Sequence, residues 1–582
     1  MRYADIGDKI KNESAEITRF FGVYEKEGGS RGSLYDAMNV SSRAFPSMLQ
    51  RERRATVRML GSADGIFADD TLAFVDGGRL YYGARQISGL YLASGEKTLL
   101  RLGKYLLVFP DEAYVDLENE ERCGFLSSAF SGSVKISTVD AQKNDISYSV
   151  FLTEPQSGAI GEYCAVSDGD GGLVMKRFDG AIWRRCETFL KISASGIDGC
   201  FNEGDMLSVS GADGALGSAV RVTARESGAI YCEGVITSDI RCELSLTRSV
   251  PLFDFVTVSG GRRGGVRRGK AKNGAYVSRI YASAQGDPFN FLEEGGALML
   301  DVDISGAFTG VCDYLGSPIA FSESEIVECR VKGQSLIGTV IRCCGLESGA
   351  HKSCVTDNGI LYYKSSMGVC RYDGSYPEVI SDALFGIRLG GDGCPAICAK
   401  GRYYIKLTDS KSRKAIYVYD IGRKLWLRED DPGVATFAKR RENIYALCRA
   451  EQGSIMLFDY DSADPDEQTY CSAEGYPRVE EAVQWYVETS EIGADTFESV
   501  CPVSLSVRLI KSAKDTAWAC AVCDGKVISE TEIKGECFGA VSVPVDVTRC
   551  DTFRIRLRGS GECKILGLSA LYRAKGEVKA WR

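Results

Sequence analysis

The sequence predicts an all-β protein, and three observations predict it. Short aromatic and β-branched runs recur along the chain, each bounded by Gly, Asn-Gly or Asp-Gly turns. The chain holds 65 Gly and 28 Tyr against only 13 Pro, a balance that suits many short strands joined by tight turns. The strand–turn–strand unit repeats at roughly 40–50 residues with changing sequence, the signature of sheets stacked around an axis. The expected architecture is a β-propeller of six or seven blades, with an inserted β-domain and a C-terminal β-sandwich. The expected boundaries are an N-terminal arm at 1–55, a propeller at 56–122 and 251–460, an insertion at 123–250, a linker at 461–482 and the sandwich at 483–582.

The clearest unit is Cys354 to Ser381, CVTDNGILYYKSSMGVCRYDGSYPEVIS. Asn358-Gly359 and Asp373-Gly374 supply the positive φ angles of tight turns around the runs Ile360–Tyr363 and Val369–Tyr372. Taken in order, residues 1–55 read as an extended arm whose Arg51, Arg53 and Arg54 form a small basic cluster. The plain reading of that cluster is a solvated strand edge; a phosphate or a partner's carboxylates would also suit it. Two units follow between Gly65 and Asn119, GIFADDTLAFVDGGRLYYGARQI and LLRLGKYLLVFPDEAYVDLEN. From 123 to 250 the rhythm changes to more Ser, Asp and Gly, as expected for a domain carried on a propeller loop. The propeller rhythm returns at Pro251 and continues through units at 308–331, 354–381, 395–429 and 434–460, with Trp426 placed to pack between blades. A polar stretch, DSADPDEQTYCSAEGYP, reads as a linker. Beyond it, Arg554, Arg556 and Arg558 alternate with Ile555 and Leu557, so one face of that strand is polar and the other buried.

The composition bounds the chemistry. The net charge is −9, from 70 Lys and Arg against 79 Asp and Glu, which argues against a dedicated nucleic-acid binder. No run of 18 apolar residues occurs, so no membrane span is expected, and the charged start MRYADIGDKIKNESAEI lacks the apolar core of a signal peptide. The 22 Cys are expected as buried thiols rather than a disulfide framework. Cys520 and Cys523 form a lone CxxC, and Cys394 and Cys398 lie four apart. A structural zinc site wants four ligands, so no metal is expected at either pair. The turn Asp168-Gly169-Asp170-Gly171-Gly172 lacks the spaced acids of a calcium loop. The single histidine, His351, removes most Ser-His, Cys-His and zinc chemistry. No catalytic residue, metal or cofactor is expected.

One charge cluster stands out: Arg262, Arg263, Arg267, Arg268, Lys270 and Lys272, interleaved with Gly. Read as a loop, it is a candidate contact for a phosphate backbone or an acidic neighbouring subunit. No aromatic residue is interleaved, so base reading is not expected.

Four stretches carry a resemblance: DAMNVSSRAFPSMLQRERR, RIYASAQGDPFNF, ILYYKSSMGVCRYDGSYPEVIS and TFRIRLRGSGECKILGLSALYR. They resemble structural virion proteins of bacteriophages and prophages and, more distantly, the tail nozzle (packaged-DNA stabilisation) proteins of short-tailed phages. The resemblance covers most of the chain outside 123–250. It implies a propeller arranged as a homo-oligomeric ring around the tail channel, in contact with other tail or adaptor proteins and non-specifically with packaged DNA. The implied place is the virion tail, after assembly in the host cytoplasm. No catalytic residues come with the family.

A second class is a carbohydrate-binding or carbohydrate-active propeller for host-surface recognition. Its catalytic form needs two carboxylates roughly 5–10 Å apart. Asp301, Asp303, Asp313, Glu323 and Glu325 are available, and no pair among them is singled out by sequence.

Overall fold

Strands buried on both faces read as continuous apolar runs, and most of the repeating units of this chain have one. Examples are Leu72–Asp76, Tyr105–Phe109, Ser317–Phe321, Ile360–Ser365 and Asn443–Arg449, each almost wholly buried. In the computed structural model each is the second strand of an antiparallel blade, four-stranded for the first four and five-stranded for Asn443–Arg449. The described residues are 12–26, 28–168, 172–211, 216–270, 275–384, 393–409, 412–450, 452–470, 472–493, 498–545 and 549–576.

Seven blades are present among them. Their first strands are Gly65–Ala68, Thr98–Leu102, Phe255–Ser259, Gly310–Tyr314, Val355–Asp357, Ala396–Ala399 and Val434–Arg440, defining blades 1 to 7. Each first strand touches the next, and that of blade 7 returns to that of blade 1, so the ring is closed. Closure is not sequential. The outer strand of blade 7 is Ala55–Leu60, which pairs with Gly453–Leu457 from the far end of the propeller. In blade 5 the turn at Asn358-Gly359, with φ of 47° and 77°, makes the tight hairpin between Val355–Asp357 and Ile360–Ser365.

The N-terminal segment, expected as a separate arm, is part of the sandwich. Leu34–Met38 pairs with Gln484–Thr489, and Asn12–Ile17 and Met48–Gln50 pair with Cys563–Gly576. The sandwich therefore has a five-stranded sheet and a six-stranded sheet, each built from both ends of the described chain. The physical reason is that Leu34 and Ala37, three residues apart with a bulge between Leu34 and Asp36, are fully buried and need a second sheet to cover them.

The same segment seals blade 6. Its outer strand, Leu425–Asp430, is almost entirely buried because the segment runs along its edge. Val23 and Asn39 donate backbone N–H bonds to Trp426 and Arg428 carbonyls, at 2.7 and 2.8 Å. This occupies an edge that would otherwise be open for pairing with another chain. At Gly22 (φ +81°) an added Cβ would sit 2.5 Å from the Trp426 carbonyl oxygen, so the close approach requires glycine. Trp426 itself is buried, and its Nε1–H donates to the Ile380 carbonyl at 2.8 Å, between blades 5 and 6. One apolar core runs without a break from blades 4–6 into the sandwich.

The expected linker is also folded. It carries a short helix, Pro465–Thr469, and the strand Arg478–Val479, which adds a fifth strand to blade 7. Buried Glu467 pairs with Arg440 and accepts the Tyr445 hydroxyl at 2.6 Å, so the polar composition serves an internal ion pair rather than solvent. The basic cluster of the arm is likewise internal. Arg51 meets Asp430 at 3.0 Å and Glu480 at 2.7 Å, and Arg54 meets Glu429 at 2.8 Å. Only Arg53 of the three is itself exposed, and it pairs with Asp461 at 2.6 Å. The solvated-edge expectation fails because the carboxylates come from strands more than 370 residues away, which local reading does not see.

The insertion is a closed six-stranded barrel, Ser128–Asp140, Thr188–Ser193, Ala229–Glu233, Ala219–Glu226, Met206–Ser210 and Ile240–Arg248, with its own apolar core. A small sheet, Tyr148–Phe151 to Trp183–Arg185, is carried between its first two strands. Arg248 clamps the barrel to the propeller. It pairs with Asp205 at 2.5 Å, donates to the Leu126 carbonyl at 2.9 Å and lies 4.9 Å from the Phe289 ring. Residues 169–171 of the Asp-Gly turn lie outside the described residues. Among the described residues no disulfide is formed and no helix is long and apolar enough to cross a membrane.

Candidate functional site

The first strands of the seven blades line a central channel of about 840 Å³. Its wall alternates apolar side chains such as Phe67, Leu99, Phe255 and Phe437 with a few charged groups. Three carboxylates line it among the described residues: Glu96, Glu112 and Asp254. Each is engaged. Glu96 pairs with Lys352 and, at 3.6 Å, with Arg449. Glu112 pairs with Arg263. Asp254 accepts the backbone N–H of Arg268 at 2.9 Å. Next to the channel, a smaller cavity of about 250 Å³ gathers Lys352, Lys406, Lys414 and Arg449 around Glu96 and Asp431. Lys406 is buried against Asp431 at 3.0 Å and the Val434 carbonyl at 2.6 Å. His351 also lines the channel, its ring 5.5 Å from that of Phe255.

The acids considered for glycosidase chemistry are elsewhere. None of Asp301, Asp303, Asp313, Glu323 and Glu325 lines the channel. Asp301 pairs with Arg279 at 2.8 Å, Asp313 accepts the Ser259 hydroxyl at 2.5 Å, and Glu325 accepts the Ser305 N–H at 2.7 Å. The paired cysteines are strand residues. Cys520 and Cys523 belong to Thr516–Cys523 in the sandwich, and Cys398 belongs to the first strand of blade 6. Among the described residues no group of three His, Cys, Asp or Glu is placed to hold a metal ion.

The basic cluster is not a loop. Arg262–Lys270 is the second strand of blade 3, paired on both sides. Its glycines are there for packing: an added Cβ at Gly265 would stand 2.3 Å from the Phe253 ring. The strand splits the six residues into three groups. Arg263 is fully buried, paired with Glu112 and surrounded by the rings of Phe109, Phe253 and Phe291 at 4.9–5.3 Å. Burial lowers its guanidinium to about 10, still charged at neutral pH, and burial likewise pushes the Glu112 carboxyl up. Arg262 is spent on the Gly296 carbonyl at 2.9 Å. Arg267, Arg268 and Lys270 are exposed, and Lys272 lies outside the described residues. The expectation of six mobile cations is thus corrected to three exposed ones on a strand, because the inner half of any blade strand faces its neighbours.

The pairing also supplies what the local sequence lacked. Tyr276 sits opposite Lys270 in the next strand, is 64% exposed, and lies 5.1 Å from the Arg268 guanidinium and 5.4 Å from the Lys270 ammonium. The result is a small surface patch of three cations around an aromatic face. It suits a phosphate backbone with an occasional unstacked base.

No family model matches the chain, and no curated protein matches it. Among solved structures it is similar to the dihydro-heme d1 dehydrogenase NirN, at 10% identity over 72% of this chain and 80% of that one, with a TM-score of 0.25. It is also similar to an exo-β-1,3-galactanase from Phanerochaete chrysosporium, at 8% identity, 76% and 100% coverage and a TM-score of 0.15. A third is the Trypanosoma rangeli sialidase, at 9% identity, 96% and 95% coverage and a TM-score of 0.18. At these TM-scores the likenesses carry no argument about chemistry. The propeller assignment rests on the closed ring of seven blades.

Proposed function

We propose that this chain is a non-catalytic structural protein of a bacteriophage tail, a nozzle- or hub-type component that assembles as a ring around the DNA channel. One observation carries the reading: a single apolar core, flanked by the buried ion pairs of Arg51, Arg54 and Arg428, fuses the N-terminal segment, blades 4–6 and the sandwich into one body. A ring subunit needs such rigidity, because a small hinge error per copy prevents closure of a cyclic assembly. The phage-like stretches support it in a specific way. DAMNVSSRAFPSMLQRERR is part of the segment that seals blade 6, and TFRIRLRGSGECKILGLSALYR forms two consecutive sandwich strands, one in each sheet, so the resemblance falls on framework. The exposed patch at Arg267, Arg268, Lys270 and Tyr276 is the place for non-specific contact with packaged DNA or with an acidic neighbouring subunit. The protein then resides in the virion tail.

A carbohydrate-active propeller is the competing reading. Every channel carboxylate among the described residues is engaged by a cation or a backbone N–H, which leaves no free acid and base to flank a glycosidic bond. The test is mass in solution by light scattering, with negative-stain images, for the chain alone and mixed with tail adaptor complexes. A discrete ring in either sample is expected. A chain that stays monomeric in both, and is missing from purified virions by mass spectrometry, overturns the proposal.

A further inference from the structure

The outward face of the five-stranded sandwich sheet is a ligand cleft that no part of the tail reading uses. We infer that it binds a neutral oligosaccharide. Two sheet rows define it. In one, Met38, Tyr486, Arg558, Trp518 and Glu532 lie side by side across five strands. In the row beside it, Gln484, Ser560 and Thr516 place an amide and two hydroxyls. All of these but Glu532, at the far edge of the row, line a cleft of about 630 Å³, within the usual range for a small-molecule site.

The chemistry of the lining selects the ligand class. Trp518 and Tyr486 are both half-buried and both flank Arg558. Strands are 4.7–4.9 Å apart, so Tyr486 and Trp518 are about 10 Å apart at the backbone, across one intervening strand. That spacing suits the apolar C–H faces of alternate sugar rings in a short chain. An aromatic face with a polar neighbour suits a molecule that has one apolar face and a rim of hydroxyls. The side chains are already held in place. The Tyr486 hydroxyl donates to Asp36 and accepts from Arg428, at 2.9 Å each, and the Arg558 guanidinium lies 5.3 Å from the Trp518 ring. A preorganised lining lowers the ordering cost of binding.

Charge decides between neutral and acidic glycans. Arg556 is paired with Glu488 at 2.6 Å and Arg558 with Glu530 at 2.6 Å, so the two cations of the cleft are already balanced. A sialic or uronic acid would compete with a carboxylate already paired to each cation, buried Glu488 at Arg556 and exposed Glu530 at Arg558, whereas neutral hydroxyls accept from and donate to the pairs as they stand.

The inference is independent of ring formation, since oligomeric state and glycan binding are separate readouts. The test is titration of the full chain with a panel of neutral cello-, xylo-, manno- and galacto-oligosaccharides of two to six units, followed by tryptophan fluorescence and calorimetry. Binding by at least one of them is expected, with affinity at least tenfold weaker in Trp518→Ala and retained in Tyr486→Phe, which keeps the ring. Arg558→Gln serves as the second variant if Trp518→Ala unfolds. Three results overturn the inference: no neutral oligosaccharide binds at millimolar concentration, binding survives in both Trp518→Ala and Arg558→Gln, or only polyanionic oligosaccharides bind.

Discussion

Glu112→Ala removes the carboxylate that faces a fully buried guanidinium. Arg263 has no exposed side-chain surface, its Nε finds no partner, and Glu112 is the acid paired with it among the described residues. Breaking a buried pair by deleting one member costs about 3–5 kcal/mol, because the survivor stays charged and unpaired. The three phenylalanine rings at 4.9–5.3 Å keep part of the cation's stabilisation, which places the expected loss near the lower end, about 3 kcal/mol. For a unit of propeller size, about 280 residues, that is a fall of roughly 5 °C in the melting midpoint. The same cage predicts the rescue. In Glu112→Leu/Arg263→Met both charges are gone and the apolar pocket is filled, so the midpoint is expected within about 3 °C of the unmodified protein. Melting is followed by circular dichroism and calorimetry, with hydrogen exchange on Phe255–Ser259 to assign the loss to blade 3. A fall under 2 °C for Glu112→Ala, or a double variant less stable than the single one, would refute the reasoning.

Asp116 ends the third strand of blade 2 and gives an acid-side prediction. Burial raises its pKa, but Lys104 at 2.8 Å and the Glu118 N–H at 3.1 Å more than offset this and hold the carboxyl below the usual 3.8. The unfolded chain therefore binds the proton more tightly, so this stabilisation is full above about pH 4 and is lost as pH falls through the lowered value. Asp116→Asn should be less stable than the unmodified protein at pH 6, and the gap should narrow steadily as pH falls below about 4; a gap that does not narrow contradicts the assignment. At the basic patch, Arg267→Ser/Arg268→Ser/Lys270→Ser should lower the slope of log affinity for duplex DNA against log salt by about 2–3. Filter binding or fluorescence anisotropy across a salt series reads this, and an unchanged slope removes DNA from the patch.

Much of the fold was legible because it is local. Asn358-Gly359 announces its hairpin, and the runs Leu72–Asp76 and Asn443–Arg449 announce strands covered on both faces. What stayed hidden depends on partners distant in sequence. Arg51 and Arg54 look like surface cations until Glu429, Asp430 and Glu480 arrive from the other end of the propeller. The stretch at 461–477 looks like a linker until Arg440 claims Glu467. The basic cluster was visible as composition, but its division into buried Arg263 and exposed Arg267, Arg268 and Lys270 needed the strand register. Tyr276 was in plain sight, six residues beyond Lys270, and only the hairpin brings it back. The sandwich cleft had a weak signal in the alternation Arg554, Arg556 and Arg558; nothing local said that Trp518 and Tyr486 would flank it.

The strands at 12–60 have a consequence for the order in which the molecule is made. They are made before their partners at 453–457, 484–489 and 563–576, so apart from the short pairing of Val40–Ser41 with Met48–Gln50 they emerge from the ribosome with no edge to pair with. Neither the last blade nor the sandwich reaches its native pairing until nearly the whole chain is out. Long-range pairing of this kind is slow and leaves sticky edges waiting, which makes the nascent chain a natural client for chaperones.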